Sequence, residues 1–227
     1  MLEAMIHADT LRFLADLQAN NHKDWFDAHR KEYQAARANF LFLTQELING
    51  LSLLDPAIQA AQLDAKKCVM RINRDIRFSA DKTPYKANFF AFINPGGKKS
   101  SSAGYYLQVK PGDSFMGGGV YMPPNPDLKK LRYEIEDHLP EWERILAEPS
   151  FLQVFSHGVL APQKLSRPPQ GFSAESPALP YLKMKGFYTH HSLSDSELQS
   201  EGLSDQLLEK YGVAKALVDF LNRALVP

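Results

Sequence analysis

Four residues at seven-residue spacing, Phe26, Tyr33, Phe40 and Leu47, constrain the fold of this chain most strongly. Seven residues are close to two helical turns, so these side chains, with Ala36 and Leu43 between them, share one helix face and require a core to cover them. The stripe predicts one long helix from about Phe26 until Asp55-Pro56 stops it. Ahead of it, Thr10 to Ala19 reads as a shorter helix with Leu11, Leu14 and Leu17 on one side. Asn20-Asn21 ends that helix and caps the next, with Asp24 following as a weak capping box.

Beyond the long helix the period changes. Cys68 to Ile72, Phe89 to Asn94, Tyr105 to Lys110 and Ser114 to Met122 read as strands. They are rich in aromatic and β-branched residues, and Pro95-Gly96-Gly97 and Pro111-Gly112-Asp113 mark the turns, which makes antiparallel neighbours of them. Lys98 to Ala103 reads as a flexible hairpin tip. Helices resume over Asp127 to His138 and Glu141 to Phe155, and a proline-rich crossing from Pro162 to Pro180 follows. A last strand near Lys185 to His191 leads into a C-terminal helix carrying Leu207, Tyr211, Ala214, Val218, Leu221 and Leu225. Helices, then strands, then helices indicate a single α+β domain over 1–227, a mainly antiparallel sheet packed by the long N-terminal helix and the C-terminal helix.

Function classes narrow next. The formal net charge is zero, against a non-specific nucleic-acid coat, which needs a large cationic excess. The neutrality hides an asymmetry: Lys66 to Lys110 holds ten cations and two anions, whereas Glu134 to Lys210 holds twelve acids and six bases. The two regions either attract oppositely charged partners or neutralise each other in the fold. One cysteine, Cys68, cannot form an internal disulfide and reads as a core residue, which points to a reducing compartment. Met1 to Thr10 carries Glu3 and Asp9 without a basic start and apolar run, so no secretory signal is expected. No stretch reaches the roughly 18 apolar residues of a membrane span. A cytoplasmic protein without membrane contact is the expectation; the sequence is silent on oligomeric state.

The chemistry concentrates between Arg71 and Lys86. If Met70 to Phe78 is extended, Met70, Ile72, Arg74, Ile76 and Phe78 share one face and Arg71, Asn73, Asp75 and Arg77 the other. Arg74, amid apolar neighbours, must lie in a buried ion pair or at a pocket floor, because an unpaired guanidinium is prohibitively costly to bury. Pro84 keeps Thr83 out of the helical region, so a loop presents Lys82, Tyr85 and Lys86. Arg71, Arg77, Lys82 and Lys86 would neutralise a phosphate or carboxylate. Asp75, kept ionised by the arginines, is the catalytic candidate, as a base or as an arginine orienter. Tyr85 offers a hydroxyl or a stacking face. The competing reading is a purely structural ion-pair lattice.

The run R-x-x-R-D-x-R-F-S-x-D-K-x-P-Y-K from Arg71 to Lys86 resembles the signature of a mostly bacterial family, domain of unknown function family 2461. Asn20-Asn21, Trp25-Phe26, Arg30 and Tyr33 resemble that family's N-terminal element. Gly118-Gly119-x-Tyr121-x-Pro123 and Leu182-x-x-Lys185-Gly186-Phe187 resemble its later parts. Gly186-Phe187 departs from the pattern, which has a small polar residue before the aromatic. The resemblance covers nearly the whole chain and implies a single domain; it brings no assigned activity and no catalytic residues.

Other signals are weaker. Ser79-Ala80-Asp81-Lys82 matches the S-x-x-K of acyl-serine enzymes, but that motif needs a helix and two companion motifs that are missing. Gly118, within Gly117-Gly118-Gly119, marks a bulge, a close approach by another chain segment, or a bare floor beneath a basic pocket. Arg30 is a surface arginine or closes over that pocket. His190-His191 point to opposite faces of a strand and His22 and His29 lie two turns apart, so no metal and no cofactor are implied. Besides the small anionic ligand, a nucleic-acid-binding module stands open, with Lys66, Lys67, Lys98, Lys99 and Lys110 as the electrostatic track and Tyr105 or Tyr106 for stacking. Whether the chain is an enzyme is open at this point.

Overall fold

The first helix, α1 (Ala8–Ala19), buries Leu11, Phe13, Leu14 and Leu17, one more aromatic than the leucine spacing indicates. We describe it, and the rest of residues 4–97 and 100–225, from a computed structural model. No cap of its own holds the start of α1. Instead the buried Asn39 accepts from the His7 N–H (3.0 Å) and the Thr10 hydroxyl (2.9 Å) and donates to the Met5 carbonyl (2.8 Å). One side-chain amide thus satisfies polar groups that the helix start leaves open.

The heptad stripe is helical as expected, but as two helices, α2 (Lys23–Ala28) and α3 (Arg30–Leu54). The break falls at His29, whose Nδ1–H donates to the Trp25 carbonyl (2.8 Å) while its ring stacks on Trp25 at 4.0 Å. His22, not Asn20 or Asn21, caps α2, its imidazole accepting the Trp25 N–H. α3 stops at Asp55-Pro56 as the sequence predicts, and Asp55 caps α4 (Pro56–Ala61) by accepting the Ala57 N–H. The strand expected over Cys68 to Ile72 does not form. Asp64 caps a helical turn, α5 (Ala65–Cys68), and only Val69 makes a β-bridge, to Ala91. An N-cap followed by alanine and two lysines holds Cys68 in a helical turn despite its β-branched successors.

The strands are β1 (Phe89–Ile93), β2 (Gly104–Val109), β3 (Ser114–Val120), β4 (Phe187–Tyr188) and β5 (His191–Leu193). They form one antiparallel sheet in the order β1-β2-β3-β4, with β5 also on β3. Three of the five predicted strands therefore stand within a residue or two of their expected ends. The tight turn at Pro111-Gly112 joins β2 to β3, with Gly112 at φ +71° and the Asp113 N–H donating to the Lys110 carbonyl. The predicted last strand is two short ones. At Thr189 the backbone N–H and the side chain both turn to Gly118, whose own N–H donates to Thr189 Oγ1 at 2.9 Å. The fold is α+β.

The chain divides into two compact units. The first comprises Met1–Ile93, Tyr106–Met116 and Ser192–Leu208. Here α1 packs on α3, and α3 and α5 pack on β1, around Leu14, Leu17, Phe40, Leu43 and Leu47. α10 (Asp195–Leu198), opened by a full Ser194–Glu197 capping box, belongs to this unit.

The second unit comprises Asn94–Tyr105, Gly117–His191 and Glu209–Pro227. Its helices are α6 (Asn125–Asp137), α7 (Leu139–Ala147), α8 (Pro149–Val154), α9 (Leu179–Leu182) and most of α11 (Leu203–Leu225). The single helix expected over Glu141 to Phe155 is split because Pro149 forces Glu148 into an extended conformation. Trp142 is the hub of this core, its ring 5.1 Å from Phe220, 5.6 Å from Tyr181 and 5.7 Å from Phe187. The proline-rich crossing is irregular as expected and is fastened by the bridges Leu160–Tyr188 and Lys164–Met184.

Glycine is required at two points of this second core. At Gly119, φ is +126° and a Cβ would lie 2.2 Å from the Phe187 carbonyl oxygen. At Gly186 a Cβ would meet the Tyr121 carbonyl oxygen at 2.7 Å. Gly119→Ala is expected to cost about 3 kcal/mol or more in urea denaturation, from strain and backbone overlap. Gly112→Ala, with positive φ but open space around it, should cost only about 1–2 kcal/mol. Equal losses at the two positions would show that the close approach to β4 is not what matters.

Candidate functional site

The segment 69–86 leaves the sheet early. The Met70 N–H donates to the Phe90 carbonyl (2.9 Å), and the chain then pairs with itself. Asn73 faces Tyr85 in an antiparallel bridge, flanked by Lys86 N–H to Ile72 O (2.8 Å) and Arg74 N–H to Pro84 O (2.9 Å). The expected extended strand over Met70 to Phe78 is thus a three-residue ribbon, 72–74 against 84–86, with 75–83 as its loop. The predicted alternation survives from Arg71 to Arg77, with Ile72 buried and Arg71, Asn73, Asp75 and Arg77 exposed. It fails at Phe78, which is 95% exposed at the loop tip.

So short a ribbon needs outside support. Asn21 provides it: its Nδ2 donates to the Tyr85 carbonyl (2.9 Å) and its Oδ1 accepts the Tyr85 N–H (3.1 Å). The amide stands in for a neighbouring strand. The Tyr85 ring, 7% exposed, stacks on Phe26 at 4.0 Å and 17°. Phe26 in turn meets Tyr33 (4.9 Å), and Phe40 meets Phe89 (5.4 Å). The stacking face expected of Tyr85 is therefore occupied within the fold. Asn21 is a positioning residue that sequence reading assigned to helix capping.

The charges of the segment sort into pairs and a remainder. Arg77 grips Asp75 bidentately through Nε (2.9 Å) and Nη2 (2.7 Å), and both are exposed. This holds the Asp75 carboxyl below its usual range, with Arg71 adding to the effect. Arg74 pairs with Asp81 and also reaches the Thr83 hydroxyl, a half-exposed ion pair rather than a buried one. With the Thr83 N–H (2.9 Å) and hydroxyl (2.8 Å) also donating, Asp81 is pushed down to about 2. Lys82 Nζ donates to the Ile76 carbonyl (3.0 Å). Arg71 and Lys86 remain. Among the described residues neither has a carboxylate within ion-pairing distance. Lys86 is half-buried, and burial first, then Arg71 and Arg74, lower its pKa.

A cleft of about 390 Å³ opens beside Arg71, its other wall formed by α3 with Arg37. Arg37 went unnoticed in the sequence, although Gln34, Arg37 and Leu41 follow the i, i+3, i+7 spacing of one helix face. Arg30 does not line this cleft; it pairs with Asp27 (2.8 Å) and lies 5.8 Å from the Phe26 ring centre. Gly118 belongs to the second unit, where it is no bare floor: a Cβ there would lie 3.0 Å from Ala214 and 3.2 Å from Val218 of α11.

The stacking half of the nucleic-acid arrangement fails on burial. Tyr105 is 1% exposed and meets Tyr211 edge-on (5.4 Å), and Tyr106 is packed by Phe90 and Phe115. Lys110 is paired with Asp113 (2.7 Å), and Lys98 and Lys99 lie outside the described residues. Ser79 sits in a turn, not at a helix start. His191 Nδ1–H donates to the Val154 carbonyl (2.8 Å), and no group of three or more His, Cys, Asp or Glu among the described residues is placed to hold a metal. No helix there is long and apolar enough to cross a membrane.

The Arg74–Asp81 pair is open to titration. A carboxyl with a depressed folded-state pKa contributes stability that is fully present above its ordinary value of 3.8 and is lost as pH falls through about 2. Carboxyl carbon NMR should place the Asp81 midpoint near 2 in the native chain and closer to 3.8 in Arg74→Ala. An unmoved midpoint would remove Arg74 as the cause.

Comparison with known proteins gives one result. Neither the curated proteins nor the solved structures compared with this chain contain a match. The model of the family described as a conserved hypothetical protein, DUF2461, matches residues 9–220, which takes in Asn21, the Arg71–Lys86 segment and both close-approach glycines. The chain belongs to the DUF2461 family.

Proposed function

We propose that this chain binds a small anionic ligand, phosphate- or carboxylate-bearing, at the basic segment 71–86. The observation that carries the reading is the remainder left after pairing. The segment's two carboxylates are gripped by Arg77 and Arg74, while Arg71, which Asp75 reaches only through space, and the half-buried Lys86 have no carboxylate within ion-pairing distance among the described residues. A purely structural lattice accounts for the two pairs and leaves this remainder unexplained. Like charges held together beside a partly desolvated ammonium are costly, and an anion between them removes the cost.

Binding, rather than a reaction, is the content of the proposal. Asp75 is held by Arg77, Tyr85 is stacked on Phe26, and Arg77 and Lys82 are tied to the loop they stand on. Arg71 and Lys86 are accordingly the primary ligand residues, with Arg74 oriented by Asp81 behind them. A cytoplasmic setting is part of the reading: the single cysteine, Cys68, is buried in the core and the fold uses no disulfide.

The test is calorimetric titration of the chain with inorganic phosphate at low and moderate salt, with melting temperatures measured alongside. Arg71→Ala and Lys86→Met should each weaken binding roughly ten- to a hundredfold, the loss of one charge-assisted hydrogen bond. The melting temperature of Lys86→Met should hold or rise, since a half-buried like charge is removed. Unchanged affinity in both variants, or no phosphate binding at all, sinks the proposal. Arg71→Ala and Lys86→Met both melting many degrees lower would favour the structural lattice instead.

A further inference from the structure

The cleft next to Arg71 is larger than an inorganic oxyanion requires. Its 390 Å³ falls within the range of about 300–1,000 Å³ typical of pockets for small organic ligands. One wall is a stripe of α3, Gln34, Arg37 and Leu41 on successive turns; the other is the edge Arg71, Ile72 and Asn73. Each wall therefore offers the same three things: a guanidinium, an amide and an aliphatic side chain. No acidic residue lines the cleft, and Arg37, like Arg71, has no carboxylate within ion-pairing distance among the described residues. Arg71 is common to the cleft and to the Lys86 cluster.

The charge of this arrangement selects the ligand's head group. A carboxylate is satisfied by one guanidinium gripping both its oxygens, and would leave the second guanidinium of the cleft unmatched. A phosphomonoester carries close to two negative charges at neutral pH and three terminal oxygens, enough to engage both Arg37 and Arg71 of the cleft. The two amides and the Leu41–Ile72 patch then suit an organic body with both hydrogen-bonding and apolar parts.

We infer that the cleft extends the anion site and takes a small phosphomonoester, with Arg37 as the second anchor opposite Arg71 and the organic body lying between Gln34, Leu41, Ile72 and Asn73. This rests on the anion-binding reading of Arg71 and Lys86 and adds to it a ligand class and a residue from α3.

Calorimetric titration of the full chain with inorganic phosphate, ribose 5-phosphate, a nucleoside 5′-monophosphate and gluconate tests it. At least one of the two esters should bind about tenfold or more tighter than phosphate, and gluconate, with a similar body and a monocarboxylate head, should bind more weakly than either. Arg37→Ala should weaken the ester by about tenfold. Ala38→Phe, at an exposed position on the helix wall that cannot disturb the core, should reduce the ester to the affinity of phosphate. Esters that bind no tighter than phosphate, or keep their advantage in Ala38→Phe, overturn the cleft inference while phosphate binding still supports Arg71 and Lys86. Gluconate binding as tightly as the esters overturns the phosphate assignment. If inorganic phosphate does not bind, the anion reading falls and this inference with it.

Discussion

The geometry of the basic segment depends on one side-chain amide. Three residues against three is too short a ribbon to persist by its own hydrogen bonds, and the loop it carries is crowded with positive charge. Asn21 closes both open groups of Tyr85, and the Tyr85 ring transfers the attachment to Phe26. From there the aromatic contacts of Tyr33, Phe40 and Phe89 continue into the helix-and-strand core of the first unit. The heptad stripe that organises α2 and α3 therefore has a second role, as the bed on which a charged ribbon is held still. Apolar stacking fixes the ribbon, and the fixed ribbon fixes the cations.

Within the ribbon and loop, electrostatics separates residues that look equivalent in the sequence. Arg71, Arg74 and Arg77 recur every third position, yet their surroundings differ. Arg77 closes on its near neighbour Asp75, Arg74 reaches across the loop to Asp81 and Thr83, and Arg71 faces a cleft. The two ion pairs and the Lys82 bond to Ile76 brace a loop that has no regular structure of its own. A preorganised loop would lose little conformational entropy on taking up the proposed ligand.

Much of this was legible in the residue order. Period seven gave the helices, alternating aromatics gave β1 to β3, and Pro84 gave the loop, because each is a local pattern with a local cause. The misreadings come from long-range or side-chain effects. His29 breaks the long helix by stacking and bonding to Trp25, and Asp64 pulls Cys68 into a turn. The same amide that reads as a cap at position 21 bonds a residue 64 positions away. Tyr105 and Tyr106 carry no mark distinguishing a stacking platform from a core, and both are core. Arg37 sits in a helix otherwise read for its apolar face, so its polar neighbours drew no notice. The partner of Arg74 was beyond reach because Asp75 and Asp81 are both near in sequence and only loop geometry chooses between them.

The half-buried Lys86 has a consequence for the covalent chemistry of the protein. An amine whose proton is made easier to lose spends more of its time as a nucleophile, whatever its biological role. Cyanate, anhydrides and activated acyl compounds should therefore discriminate in favour of Lys86 over ordinary surface lysines. An anion seated beside it would restore its proton and quench that reactivity. Should the proposed anion bind there, the labelling rate of Lys86 would follow its occupancy, even in a crude mixture.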